Sequence, residues 1–486
     1  MKDSESGSLS HRTVRNVAWL GSSQAIRQGV ALLTMIVLAR FLGPSEFGIF
    51  AMALFVNELA QLLVDFGMGA ALIQRKELSQ RMLSSCFWVN VGVALSAALL
   101  LVALGPWIAA YFEQPALRWL MLATGLNLLL SSMAVLPQAL LSRRLAFRDV
   151  AVGTLVGSIA GACTAVSLAT AGFGVWALAF QPVVGTLITM LYLFARARWR
   201  PSFCFDLSSI SGLLRFSGQL LLSSVVGHFT RNLTSLILGP TMGVTTLGLI
   251  SMAQTITWLP IAQFSQTVVR ATFPVFAQLQ EDMDRFREGF FRATGIVAIL
   301  AFPLMMGIGA LADDLVPVVF GQKWAPASVL VMIVCAPALV QSVTMLAGMA
   351  LLAMGRADYL LRIALVSLPA TALPLWVMRN ESAPMAVAAL AAAMVFSSIA
   401  SLLAAMHVIG GRWRRYAAVI LVPALCSAIM VAAILSAKNA MADLPALTRL
   451  VALTLFGGVV YIASIRILKP SAIEEVLNLV RVRKRD

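Results

Sequence analysis

The sequence predicts an all-α integral membrane protein with fourteen transmembrane helices, arranged as two six-helix lobes and an extra C-terminal helix pair. Three observations carry this prediction: the apolar composition, a series of long apolar stretches, and the side on which the basic residues fall. Hydrophobic residues make up 60% of the 486 residues, and charged residues only 12%. A soluble fold would have to bury more than ten apolar helices completely, which fits poorly with the surface that globular proteins expose.

Fourteen apolar stretches follow one another along the chain. Each reaches roughly 20 residues, which is enough to cross the hydrocarbon core of a bilayer as a helix. Nine of the ten tryptophans lie near the predicted ends of these stretches, where amphipathic rings settle at the lipid headgroups. The stretches cover residues 14–39, 46–73, 84–110, 117–141, 149–171, 173–195, 209–237, 244–269, 293–311, 325–353, 357–377, 383–407, 415–436 and 446–466.

The basic residues fall almost entirely on one side of this series. If the N-terminus is placed inside, 28 of the 36 Lys and Arg residues lie in inside segments and 6 lie outside. Two more, Arg27 and Arg231, lie within spans. Cytoplasmic loops of membrane proteins carry such an excess, so both termini are predicted to be cytoplasmic. The net charge of +15 is therefore a sign of topology and not of nucleic-acid binding.

Two similar segments indicate an internal repeat. Leu42–Ser45 and Leu238–Thr241 share the tripeptide Leu-Gly-Pro, and each follows an odd-numbered span. The helix starts after them, Phe47–Ala53 and Leu247–Ala253, are 200 residues apart. Both halves begin inside, so the repeats run parallel about an axis along the membrane normal. We predict an N-lobe at 1–208, a C-lobe at 209–407, an extra helix pair at 408–467 and a tail at 468–486.

The tail from Ser471 to Arg485 has the pattern of an amphipathic helix. Ser471 and Glu474 form a capping-box pattern, apolar residues then recur at helical spacing, and four basic residues follow. Such a helix would lie on the anionic inner leaflet. The alternative is a frayed soluble tail.

Span five carries Gly153, Gly157 and Gly161 at four-residue spacing. This spacing permits close approach of two helices. We interpret the stripe as packing within the lobe, and a subunit interface is the alternative.

Several catalytic and ligand-binding motifs are missing from the sequence. No Gly-Lys dipeptide occurs, so there is no nucleotide-binding phosphate loop, and neither His-Glu-x-x-His nor Gly-x-Ser-x-Gly is present. The five cysteines stand alone, which argues against disulfides and metal sites. We therefore predict no enzymatic activity and no cofactor, apart from a coupling H⁺ or Na⁺.

Three charged residues near the start of the chain are predicted to lie inside the membrane, where charges are costly and usually face a protein interior or cavity. Arg27 lies near the middle of span one, flanked by Gln24 and Gln28, and Glu58 lies near the middle of span two. Asp65 lies deeper toward the cytoplasm. Arg27 either pairs with Glu58 or lines a polar cavity that receives an anionic headgroup, and the two can coexist. Glu58 and Asp65 are candidates for binding a coupling ion.

Arg231 in span seven has no acidic residue near it in the sequence, because none occurs between Asp206 and Glu281. A basic side chain facing a cavity, with Asn232 beside it, is what a phosphate-bearing substrate would need. The alternative is that Arg231 snorkels to the outer interface with His228 and Thr234 as polar neighbours.

Several runs resemble the polysaccharide-transporter (Wzx-type) flippases of the multidrug/oligosaccharidyl-lipid/polysaccharide exporter superfamily. They agree with the branch that exports colanic-acid-like exopolysaccharides, and the match is good from the N-terminus to Phe290. In one place the chain departs from the family, since many relatives have Asp before the asparagine where this chain has Arg231-Asn232. The runs are Leu38–Pro44, Phe47-Gly48, Asp65–Arg75, Arg143–Arg148, Gly174–Leu178, Trp199–Pro201 and Phe273-Pro274.

The resemblance implies a V-shaped fold of the multidrug-exporter type and transport by alternating access. It implies a substrate of undecaprenyl-pyrophosphate carrying an oligosaccharide, moved from the cytoplasmic to the periplasmic leaflet of a bacterial inner membrane. Arg27, Arg231, Gln24, Gln28 and Asn232 are then candidate contacts to the headgroup. Expected partners are membrane lipid and the lipid-linked oligosaccharide, with polysaccharide polymerase and co-polymerase proteins as candidates, and neither nucleic acid nor nucleotide.

Three rival functions remain open at this point. A cation-coupled multidrug exporter of the same fold would need an acidic, aromatic-lined cavity, which two opposing arginines disfavour. A membrane scaffold of a glycan-assembly complex without transport would depend on the basic tail and not on charges in a cavity. A glycan polymerase or ligase would normally carry large periplasmic loops, whereas the longest outside loop here is roughly Ala312 to Lys323.

Overall fold

The computed structural model describes residues 23–64, 79–203 and 211–468, and every regular element in these ranges is helical. Two short 3₁₀ turns, Gln322–Trp324 and Met378–Asn380, accompany thirteen α-helices. The α-helices are α1 Ser23–Phe41, α2 Pro44–Val64, α3 Gln80–Tyr111, α4 Ala116–Arg143, α5 Phe147–Thr170, α6 Val175–Ala197, α7 Ser211–Gln278, α8 Met283–Phe320, α9 Ala327–Ala353, α10 Ala357–Val377, α11 Ala383–Ile409, α12 Trp413–Ala440 and α13 Ala446–Leu468.

Twelve helices within the described residues are long and apolar enough to cross a membrane. They include every predicted span except the second and the seventh. The second corresponds to α2, which carries Glu46 and Glu58, and to residues beyond its described end. The seventh corresponds to the first part of α7. The all-helical membrane fold is therefore confirmed, whereas the count of fourteen and the orientation of the termini stay predictions.

Local signals in the sequence explain where several helices begin and break. The Ser79 hydroxyl accepts a hydrogen bond from the amide of Met82 at 3.2 Å, and the Asp282 carboxylate accepts one from the amide of Arg285 at 3.1 Å. Such caps satisfy amides that have no partner within the helix. Gly243 interrupts α7 with φ 78° and ψ 164°, a conformation that glycine adopts without a steric penalty. Predicted spans seven and eight therefore meet at Gly243.

Contacts between helices divide the chain into two compact units, Met1–Gly248 (unit 1) and Leu249–Asp486 (unit 2). In unit 1, α3 packs along α4, and α6 packs against both α4 and α5. In unit 2, α9 packs against α8 and α11, and α12 packs against α8 and α13. The predicted lobes, with their boundary at 208/209, were defined by a sequence repeat. A division by contacts between helices does not test that repeat. The lobe boundaries therefore stay predictions.

The glycine stripe of α5 lies against α6 inside unit 1. A Cβ added to Gly161 would lie 2.5 Å from the carbonyl oxygen of Gln181, and one added to Gly157 would overlap the carbonyl oxygen of Gly185. The two backbones are therefore in direct contact, as small residues allow between membrane helices. The structure thus supports the interpretation as packing within the lobe and gives the subunit-interface alternative no support.

The two C-terminal helices are tied to α8 by a buried carboxylate. Asp314 is only 4% exposed and pairs with Lys438 of α12 at 3.1 Å and with Arg449 of α13. The Tyr461 hydroxyl of α13 donates to the carbonyl oxygen of Ile299 at 2.7 Å. The extra helix pair is therefore an integral part of unit 2. The predicted amphipathic tail lies outside the described residues.

Candidate functional site

Unit 1 contains an open cavity of about 820 Å³ that α1, α2, α4, α5 and α6 line. Its lining is rich in amides and hydroxyls and includes one cation, and no carboxylate among the described residues lines it. The volume lies within the range of small-molecule binding sites. The polar lining residues are Arg27, Asn57, Gln61, Ser131, Gln138, Ser142, Thr154, Ser158, Gln181, Thr186 and Thr189.

Arg27 is the cation of this cavity. Its guanidinium donates to the Gln24 side-chain oxygen at 2.6 Å, one turn earlier on α1. In the part of the chain that the structure describes, no carboxylate lies within ion-pair distance of Arg27. The Arg27–Glu58 pair that the sequence allowed is thus not formed here, and Arg27 is a half-buried cation at a cavity wall. A guanidinium in this position can donate several hydrogen bonds to a phosphate.

Two amide oxygens in the cavity wall have no hydrogen-bond partner among the residues that the structure describes. They are Asn57 Oδ1 and Gln61 Oε1, one turn apart on α2, and both atoms are buried. The Gln61 amide nitrogen donates to the Ser131 hydroxyl at 3.1 Å, which fixes the orientation of that side chain. A buried acceptor without a partner is costly, so these oxygens would gain a partner if the cavity opened to admit a ligand that brings O–H groups. Sugar hydroxyls are such groups.

Glu58 points away from these groups and contacts α7. Its Oε2 lies 3.5 Å from Nδ1 of His228 and accepts from the Asn232 amide at 3.3 Å. The His228 ring is almost fully buried, stacks on Phe55, and has its Nε2 3.1 Å from the Phe55 carbonyl oxygen. Because that carbonyl can only accept, Nε2 carries a proton. Nδ1 then accepts from the Asn232 amide nitrogen at 3.2 Å, and a proton on Nδ1 would instead make an imidazolium facing the Glu58 carboxylate.

The structure brings together only part of the predicted site. Arg27 and Gln24 meet at the cavity, Glu58 and Asn232 meet at His228, and Gln28 lies on α1 but does not line the cavity. Asp65 and the side chain of Arg231 lie outside what the structure describes.

Sequence reasoning missed most of the cavity wall and the role of His228 as a partner of Glu58. The available signal was the helical spacing of amides and hydroxyls within apolar spans, as at Asn57 and Gln61, and at Gln181 and Thr189.

Comparison with known proteins identifies the family. The family described as polysaccharide biosynthesis protein matches residues 37–329, more than half of the chain. The chain belongs to this family. Lipopolysaccharide biosynthesis protein WzxC of Escherichia coli (strain K12) is 30% identical over 358 residues, 72% of each chain. Succinoglycan biosynthesis transport protein ExoT of Rhizobium meliloti (strain 1021) is 31% identical over 311 residues, 64% of this chain and 63% of the relative.

Solved structures support the fold of this member of the polysaccharide biosynthesis family. Lipid II flippase MurJ in an inward closed conformation has a TM-score of 0.76 at 14% identity, covering 93% of this chain and 99% of that one. An inward-facing multidrug resistance MATE family transporter of the MOP superfamily has a TM-score of 0.58 at 14% identity, covering 79% and 94%. The predicted resemblance to polysaccharide-transporter proteins is confirmed at the level of the family, and the prediction of a multi-pass membrane protein is confirmed by the apolar helices.

Proposed function

We propose that this chain is a flippase that moves undecaprenyl-pyrophosphate-linked oligosaccharides from the cytoplasmic to the periplasmic leaflet by alternating access. The observation that carries the proposal is the chemistry of the cavity in unit 1: one guanidinium, many neutral amides and hydroxyls, and buried acceptors that lack partners. This lining suits a polar glycan next to an anionic group. Membership of a polysaccharide biosynthesis family supports it.

In this proposal Arg27 binds the pyrophosphate while Gln24 holds the guanidinium in place. Asn57 and Gln61 accept hydrogen bonds from sugar hydroxyls, so that neither the amide oxygens nor the hydroxyls are left without a hydrogen-bond partner. The polyprenyl chain needs no polar site because it can remain in lipid. The cation-coupled drug exporter fits less well, because no carboxylate among the described residues lines the cavity.

We propose further that Glu58 and His228 take part in coupling. Transport against a gradient needs a group whose charge changes during the cycle, and intramembrane acids commonly serve as such groups. The 3.5 Å contact between Glu58 and His228 forms an ion pair only when His228 is protonated. H⁺ is therefore our preferred coupling ion over Na⁺. The candidate role of Asp65 stays a prediction, as do those of Arg231 and Gln28.

A bacterial inner membrane is the proposed location, with polymerase and co-polymerase proteins as proposed partners. Both follow from the substrate, since lipid-linked repeat units are assembled on the cytoplasmic leaflet and used on the other. The scaffold alternative predicts that the basic tail matters and that Arg27 does not.

The decisive experiment measures in which leaflet the lipid-linked oligosaccharide accumulates. A deletion strain is complemented with the wild type, Arg27→Gln, Arg27→Lys or Arg40→Gln, and the amount of each protein in the membrane is checked. Arg40 is the matched control, because it lies on the same helix but does not line the cavity. We expect cytoplasmic-leaflet accumulation with Arg27→Gln, partial function with Arg27→Lys, and normal translocation with Arg40→Gln. Normal translocation by Arg27→Gln would reject the proposed role of the cavity.

A further inference from the structure

One tryptophan, Trp258, does not lie near the end of a predicted span. It lies on α7, beyond the break at Gly243, and is 58% exposed. It lines a second cavity, of about 240 Å³, which lies within unit 2. We call this cavity the Trp258 pocket. Its other lining residues are Ile261, Gln341, Thr344, Met345, Gly348, Ser397, Ser398 and Ser401.

The helices that form this pocket repeat the local geometry of helices in unit 1. The turn after α4 has Leu145 in a left-handed conformation at φ 56°, and the turn after α9 has Gly355 at φ 70°. Each of these amides donates to the carbonyl three residues earlier, at 3.0 Å in both turns. Helices α6 and α11 likewise end at left-handed residues, Arg198 and Gly410. A sequence alignment anchored on these helix ends therefore matches α4 with α9 and α6 with α11.

The same alignment relates the two cavities. When Leu145 is aligned with Gly355 in the sequence, four cavity-lining residues of α4 align with four pocket-lining residues of α9. When Arg198 is aligned with Gly410, three cavity-lining residues of α6 align with three pocket-lining residues of α11. The two units thus present a pocket at equivalent positions, but with different chemistry. The first set pairs Ser131, Ala134, Val135 and Gln138 with Gln341, Thr344, Met345 and Gly348, and the second pairs Gly185, Thr186 and Thr189 with Ser397, Ser398 and Ser401.

The Trp258 pocket is neutral, in contrast to the cavity of unit 1. No charged residue in the described part of the chain lines it. The Gln341 side chain, whose amide can both donate and accept, lines it. The Ser401 hydroxyl donates to the Ser397 carbonyl at 3.0 Å, which leaves its oxygen able to accept. The pocket therefore combines an exposed aromatic face with amide and hydroxyl groups and with no ionic group.

We propose that the Trp258 pocket is a saccharide subsite, in which the indole packs against the C–H face of a neutral sugar ring and Gln341 and Ser401 meet its hydroxyls. Aromatic rings pack favourably on apolar faces, while amides and hydroxyls can both donate and accept. This subsite deepens the proposed function and rests on it. The Trp258 pocket would bind a neutral sugar of the repeat unit.

The test measures binding to the purified full-length protein with two lipids. One is undecaprenyl-pyrophosphate bearing a neutral tetrasaccharide, and the other is undecaprenyl-pyrophosphate without sugar. The variants are Trp258→Leu, Trp258→Phe, and Trp376→Leu as a control whose tryptophan has nearly the same exposure, 59%, but lies outside the pocket. Because Trp258 is exposed, its replacement removes little packing within the unit.

We expect Trp258→Leu to weaken binding of the sugar-bearing lipid by about tenfold, on the scale of one aromatic contact, and to leave the sugar-free lipid unchanged. Trp258→Phe should retain most of the affinity, and Trp376→Leu should match the wild type. Unchanged binding by Trp258→Leu, or equal weakening for both lipids, overturns the subsite. Translocation in proteoliposomes separates the two proposals: sugar-dependent binding without translocation by the wild type would reject the flippase and keep the subsite.

Discussion

Gly48 and Gly248 meet in a reciprocal backbone contact. A Cβ added to Gly48 would overlap the carbonyl oxygen of Val244, and a Cβ added to Gly248 would overlap the carbonyl oxygen of Pro44. The added Cβ atoms would also lie 3.1 Å and 3.0 Å from the amide nitrogens of Gly248 and Gly48, respectively. The two glycines occupy matching positions of the sequence repeat, and Pro44 and Val244 each lie four residues before one of them, so the two segments contact each other here in a locally two-fold manner.

Alanine at either glycine should destabilise this crossing. Because each Cβ meets backbone atoms and not the end of a flexible side chain, we expect Gly48→Ala and Gly248→Ala each to cost about 1–3 kcal/mol. Thermal unfolding of the detergent-solubilised protein measures this. Gly92→Ala is the control, since a Cβ there meets nothing within 4 Å. Equal unfolding temperatures for all three variants would show that the contact is not tight.

Asp314 should hold the C-terminal helix pair in place. Asp314→Ala leaves the cations of Lys438 and Arg449 without their shared carboxylate, and breaking a buried ion pair costs about 3–5 kcal/mol. We expect an unfolding temperature several degrees lower. The neighbouring Asp313 is exposed, so Asp313→Ala should change stability by less than about 0.5 kcal/mol. Equal effects of the two variants would contradict an anchoring role.

Asn57 should show a conflict between stability and transport. Its buried Oδ1 has no partner in the described part of the chain. Asn57→Leu therefore removes an unsatisfied acceptor and should raise the unfolding temperature while reducing translocation of the lipid-linked oligosaccharide. Asn90→Leu is the contrast: Asn90 Oδ1 also lacks a partner among the described residues, but the Asn90 amide nitrogen donates to the Ser132 carbonyl at 3.0 Å, and the variant loses that bond. We expect Asn90→Leu to lower the unfolding temperature. A destabilised Asn57→Leu protein would mean that the oxygen is satisfied in the membrane.

Coupling through Glu58 and His228 can be tested with an imposed gradient. In proteoliposomes, we expect a proton gradient to accelerate translocation by the wild type but not by Glu58→Gln or His228→Gln, because neither variant can form the ion pair of a protonated His228. Translocation without a gradient should persist in both variants. Gradient-driven acceleration in the Glu58→Gln protein would exclude this carboxylate as a coupling group.

The sequence by itself determined the membrane class, the helices and the family. Apolar length suffices for this, because a bilayer admits only segments that satisfy their own backbone hydrogen bonds. The sequence also marked Arg27 and Glu58, since a charge within an apolar span stands out. It could not assign their partners. Glu58 is hydrogen-bonded to Asn232 on a helix far along the chain, and such a contact leaves no periodic signal.

Only the tertiary structure decided which polar residues share a cavity. Gln61 and Ser131 meet from different helices, and Gln61 and Glu58, three residues apart on α2, have different surroundings. Side-chain direction and helix packing cause these differences, and the hydropathy pattern of the sequence predicts neither. Trp258, Gln341 and Ser401 likewise line one pocket only because α7, α9 and α11 pack together. The sequence alone therefore specified the membrane-crossing helices, because water and lipid act on each segment separately, whereas the cavities depended on how those helices pack together.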